Sequence, residues 1–165
     1  MQNLTFEEIN ESWNKLEELE LDDIPQFVDK LGHKQPFVLA YLMTTGSNIL
    51  NQNEREALLF TGLMIWHIST LKCLEIPEIT SELIDEKESK NIKMLEYLAG
   101  EPESDFMETV DHIMAKYSQA ELLKFVIDKL MSDSEEENEI REDNIGMIVI
   151  YLKTIIDCLD EVSIY

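Results

Sequence analysis

Two stretches of this chain, ALLFTGLMIWHIS (57–69) and IGMIVIYLKTII (145–156), are apolar on nearly every side when wound as helices. A helix that is greasy all round must be buried. Neither stretch reaches the ~20 apolar residues that span a bilayer. They are therefore expected to form the central pair of an all-α fold, with the remaining segments packed around them.

Helix signals recur along the rest of the chain. Thr5-Phe6-Glu7-Glu8 fits a capping box, with Leu4 and Ile9 as its hydrophobic staple. Phe6, Ile9, Trp13 and Leu16 then share one face. A second helix starts near Pro25 and ends at Gly32, and a third opens at Pro36 and stops before Gly46. TTGSNILNQ reads as a loop, and a fourth helix is expected from about Gln52 to Leu74, ended by Pro77. A fifth runs from about Glu78 to Ala99, and a sixth begins after Ser104 and buries Phe106, Val110, Ile113 and Met114. Ser118 and Glu121 suggest a second capping box, stapled by Tyr117 and Leu122. The seventh helix, AELLKFVIDKLM, runs into SDSEEENE, which reads as a solvated acidic loop; the eighth spans about Glu139 to Val162. Nothing shows the sustained alternation of strands and hairpins.

The halves resemble each other. Residues 51–75 lie over 136–160 without gaps, setting Asn53 on Asn138, Glu54 on Glu139, Trp66 on Tyr151 and Cys73-Leu74 on Cys158-Leu159. One residue out of that register, the segment from Gln35 lies over the segment from Gln119. The expected architecture is thus about eight helices as two similar four-helix units, an internal duplication with a rough twofold. Repeat one covers about 4–76 and repeat two about 77–163, sharing one core within a single domain, 1–165, since no flexible linker divides them.

This overlay guides the reading of the chemically interesting residues. His67 falls on Leu152, so it reads as a core or near-core imidazole with one satisfied hydrogen bond. Cys73 and Cys158 read as small buried apolar side chains near the ends of the central helices; a disulfide or a shared metal is the sharper alternative. Gly62 and Gly146 cost roughly 1 kcal/mol each in helix propensity and read as marks of close packing. Arg55 and Arg141, the only arginines, sit in the first turns of the central helices, where a cation opposes the dipole. Bidentate pairing with carboxylates of another helix is the natural compensation.

Catalytic patterns are scarce. The positions three before His33, His67 and His112 hold Lys30, Met64 and Thr109, so the Glu-x-x-His of carboxylate-bridged di-iron bundles is absent. His-Glu-x-x-His, a Gly-x-Ser-x-Gly elbow and a phosphate-cradling glycine loop are missing as well. Glu108 and His112, one turn apart, come nearest to a metal-binding spacing, and a surface hydrogen-bonded pair is the competing reading. Ser132 and Ser134, set among acids, have the surroundings of phosphate acceptors. No cofactor is implied.

Charge bounds the partners. Thirty-five acidic residues face 13 basic ones, a formal −22. Direct binding to nucleic-acid phosphates or anionic lipid needs clustered Lys and Arg and is disfavoured. The N-terminus lacks a basic start and an apolar h-region, so a cytoplasmic chain with reduced cysteines is expected. The expected function is a non-enzymatic, acidic protein–protein interaction module. Its partner would be a protein, a basic one suiting the charge, or a second copy. The alternatives are an acidic inhibitor, such as an immunity protein or nucleic-acid mimic, and a metal-dependent enzyme using carboxylates and His112.

Overall fold

The computed structural model describes residues 1, 3–18, 23–137 and 140–164; at 103–104, 106–107, 133 and 135–137 it describes the backbone alone. Eight helices and no strands occur among the described residues: α1 (Phe6–Glu17), α2 (Ile24–Lys34), α3 (Pro36–Thr44), α4 (Gln52–Thr70), α5 (Ser81–Gly100), α6 (Glu103–Lys116), α7 (Ala120–Glu137) and α8 (Glu142–Val162). The only extended pairing described is an isolated antiparallel bridge between Glu75 and Ile164.

The two apolar stretches take the central positions. In α4, Leu58, Leu63, Met64, Ile65, Trp66 and Ile68 are buried; in α8, Ile148, Ile150, Tyr151, Leu152, Ile155 and Ile156 are buried. α4 and α8 pack on each other; α4 also meets α1, α2 and α3, and α8 meets α5 and α7. Two further contacts cross between the halves, α1 with α7 and α3 with α5. Buried apolar side chains from both halves form one contiguous cluster. No described helix is long and apolar enough to cross a membrane.

Local chemistry sets the helix starts. Thr5 Oγ1 accepts the Glu8 N–H, and the Glu8 carboxylate accepts the Thr5 N–H, closing the expected capping box over a buried Leu4 and Ile9. A second complete box, Asn51 with Glu54, starts α4. Gly46 supplies the left-handed turn (φ 67°) between α3 and α4, where a side chain would also strike Leu50.

Several boundaries differ from expectation. α2 runs past Gly32 to Lys34, and α4 stops at Thr70, leaving Cys73 in the connector. The acidic stretch is helix through Glu137 rather than loop, because α7 continues; 138–139 lie outside the described residues. The Ser118 box does not form: α7 starts at Ala120, and the Ser118 hydroxyl donates to Asp160 Oδ2 on α8 (2.6 Å). Val110, Ile113 and Met114 are only half-buried, since α6 packs on its neighbours α5 and α7 and not deeply on α8; the Phe106 side chain lies outside the described residues.

Candidate functional site

α8 carries a lysine inside its apolar run, and the structure buries it. Lys153 is 7% exposed, and its ammonium donates to both carboxylate oxygens of Asp157 one turn on (3.0 and 2.8 Å). α5 contributes Asn91, 3% exposed, whose amide donates to Asp157 Oδ2 (2.8 Å) and Thr154 Oγ1 (3.2 Å). Tyr117, at the end of α6, donates its phenol to Asp157 Oδ1 (2.7 Å), and the Lys153 ammonium stands 4.3 Å from its ring centroid. Asp157 thus accepts four hydrogen bonds, the full complement of a carboxylate.

Asn91, Lys153 and Asp157 floor an open groove of about 440 Å3 between α5 and α8, edged by Lys87, Lys90, Met94, Asp160 and Glu161. The charges at its mouth are also answered: Lys87 pairs with Glu161 and Lys90 with Glu86. Burial, with the Asp157 charge behind it, pushes the Tyr117 phenol far above its ordinary range. Burial likewise pushes the neighbouring Cys158 thiol up to about 12, which keeps it protonated and inert. The network holds α5, α6 and α8 in register. A fully satisfied buried network is stiff, and removing one member strands the others.

A second ion pair, its carboxylate buried and its guanidinium half-exposed, joins the start of α4 to the start of α8. Glu54 is 0% exposed. Its carboxylate takes Arg141 Nε (2.9 Å) and Nη2 (2.7 Å) as a fork, the Arg141 N–H (3.0 Å), Asn144 Nδ2 (2.9 Å) and the Asn51 N–H (2.8 Å). The Arg141 guanidinium leads these donors in holding the carboxyl down at about 2, against the desolvation that opposes it. One side chain therefore closes the N-cap of α4 and ties it to the start of α8.

The bidentate partner expected for an arginine is thus present at Arg141. Arg55 departs from that expectation: it is exposed and donates to the Met43 carbonyl (3.1 Å), one of the orphan carbonyls at the end of α3. His67 is half-buried, and its Nδ1 is buried without a partner among the described residues, so the expected hydrogen bond is missing there. The ring stands edge-on to Phe27 (centroids 5.1 Å apart) beside a cavity of about 20 Å3 lined by Leu16, Ile24, Phe60, Leu63 and Met64. Desolvation, then the nearby Lys30 charge, lowers its pKa.

Cys158 is fully buried, whereas Cys73 is half-exposed because α4 ends before it; both are free thiols. Gly62 is a true packing mark, since a Cβ there would lie 2.6 Å from Leu42; around Gly146 there is open space, so that expectation fails. Glu108 and His112 are both exposed on α6, and no group of three or more His, Cys, Asp or Glu side chains able to hold a metal occurs among the described residues. Ser134 is buried and donates to the Ile140 carbonyl (2.8 Å), while Ser132 is exposed.

Sequence reading missed Lys153, Asp157, Asn91 and the partner of Arg141. One signal was available: Lys153 is the sole charge in an otherwise apolar twelve-residue run, with an acid at i+4. Asn91 had none, because its partners lie more than sixty residues away on another helix. No protein-family model, no curated protein and no solved structure matches the chain.

Proposed function

We propose that this chain is a non-catalytic helical interaction module built by duplication of a four-helix unit. The observation that carries the reading is that the buried charges Glu54 and Lys153 are each answered within the protein, Glu54 by the half-exposed Arg141 and Lys153 by Asp157. The charged groups best shielded from water hold helices together and leave none free to act on a substrate.

Duplication is supported by paired relationships. α1 meets α4 as α5 meets α8; α3 meets α4 as α7 meets α8; α1 meets α7 as α5 meets α3. Leu4-Thr5 before α1 and Ile79-Thr80 before α5 each set a buried apolar residue beside an N-cap threonine. Ser69 donates to the Ile65 carbonyl (2.8 Å) and Thr154 to the Ile150 carbonyl (2.9 Å), at matching places in the overlay. Gln35 and Gln119, each 1% exposed, stand just before α3 and α7. Gln35 clamps the run into α5 through Ile76 O (3.3 Å), Pro77 O (2.9 Å) and the Ile79 N–H (2.8 Å). Gln119 clamps the run into α1 through Met1 O (3.1 Å).

The acidic coat suits a basic protein partner. The outer face of α5 is the part we assign to it, where three acids, Asp85, Glu88 and Glu96, outnumber the single Lys93 around a shallow depression of about 380 Å3. Affinity capture from an extract of the cells that make the protein, followed by binding of the purified partner at rising salt, tests this. A partner whose affinity falls with salt and is lost in Asp85→Lys/Glu96→Lys supports the reading. Turnover of a substrate, abolished by one polar substitution, overturns it.

A further inference from the structure

A second groove, of about 300 Å3, lies between α2, the end of α4 and the connector that follows. That volume is at the lower edge of the ~300–1,000 Å3 usual for small-molecule sites. Trp66 forms part of its lining, with Thr70, Cys73 and Leu74 beside it and Lys30 and Lys34 along one side. The two lysines are one turn apart on α2 and exposed. Neither forms an ion pair among the described residues, although the chain has 35 acidic side chains to offer. The Lys30 ammonium instead stands 6.0 Å from the Trp66 ring centroid.

This sets the groove apart from the one between α5 and α8, where every lysine has its carboxylate. Here one acid, Glu75, faces two ammonium groups, so the lining is locally positive on a strongly negative protein. Its rim is apolar. Leu74 is 84% exposed and Ile164 51% exposed, and two backbone hydrogen bonds of 3.0 Å, Leu74 N–H to Ile164 O and Ile164 N–H to Glu75 O, fix both on the same edge.

The geometry points to this groove as a binding site for a small aliphatic carboxylate, its head between Lys30 and Lys34 and its chain against Leu74 and Ile76, over the nearly covered Trp66 at the floor. A single negative charge feels little of the protein's repulsion beyond a Debye length of about 8 Å in physiological salt, whereas a polyanion is turned away. An alcohol of equal length forgoes the lysines, and a cation meets them as like charges. The inference stands apart from the interaction reading, which survives its failure.

The test is a titration of the ¹⁵N-labelled protein with sodium decanoate below its micellar range, following the two indole N–H resonances. The Trp13 indole donates to Glu17 Oε1 (2.7 Å) in another part of the fold and serves as the internal control. The expected result is a saturable shift of Trp66 with Trp13 unmoved, and protection of Cys73 from maleimide. Lys30→Gln/Lys34→Gln should weaken binding about tenfold, the scale of a lost charge-assisted hydrogen bond. Both lysines are exposed, and an unchanged Trp13 resonance verifies the fold of that variant. No shift of Trp66, equal affinity for decanol or decyltrimethylammonium, or undiminished binding by the double variant overturns the assignment.

Discussion

Gly62 and Gly146 interrupt the two central helices alike, yet a methyl on Gly62 would strike Leu42 at 2.6 Å and one on Gly146 would meet nothing within 4 Å. Gly146→Ala should therefore stabilise the protein by about 1 kcal/mol, the propensity difference in a helix interior. Gly62→Ala should destabilise it by about 1–3 kcal/mol through overpacking, lessened as far as Leu42 can turn aside. Urea denaturation of both variants decides; equal signs would refute the packing argument.

Glu54→Gln should cost about 3 kcal/mol at neutral pH, because it takes the charge from a buried carboxylate on which five donors converge, one partner of the pair being half-exposed. A carboxyl held down at about 2, against 4.5 when unperturbed, stabilises the fold above pH 4.5 and loses that contribution as pH falls towards 2. The gap between wild type and variant should accordingly narrow over that range. Urea midpoints measured from pH 7 to pH 2 would expose a constant gap.

His67→Leu should stabilise the protein by about 1 kcal/mol at pH 7, because it removes a buried nitrogen without a partner and fills part of the adjoining cavity. Desolvation lowers the folded-state pKa, so the folded protein prefers the neutral ring. The wild type keeps that preference's benefit above a pH of about 6.5 and loses it as the pH drops, while the leucine variant does not. The variant's advantage should grow from pH 7 to pH 5, as read by thermal melts.

Salt should raise the melting temperature. At a net charge of −22, self-repulsion outweighs what the few surface pairs return, and screening relieves it. Calorimetry from ~10 to ~300 mM NaCl should show a rise that flattens near the top of the range; a steady fall would contradict it.

What could be read in advance follows from how far each signal reaches along the chain. The central helices declared themselves because burial on all sides leaves an unbroken apolar run, and Thr5 and Glu8 because a capping box is complete within four residues. Cys73 was misplaced because α4 stops at Thr70, and a helix end is settled by what the chain packs on next. The acidic run from Ser132 read as a loop because negative charge suits a solvated lead into the N-terminus of α8, but α7 continues through Glu137 and Ser134 donates its hydroxyl to the Ile140 carbonyl. Of the candidate sites, Arg141 was half visible: its need for a carboxylate followed from the helix dipole, while the choice of Glu54 depends on tertiary placement. The Lys30–Lys34 groove was invisible, because what distinguishes it is the lack of nearby carboxylates in space.

The pairing of α4 with α8 also governs the chain's life during synthesis. About seventy residues separate the end of the first rod from the start of the second, which at ~5–20 residues per second means roughly 4–14 s of translation. Throughout that interval the face of α4 that packs on α8 lacks its cover. The nascent chain is thus at its stickiest midway through its own making, when hydrophobic-binding chaperones would engage it.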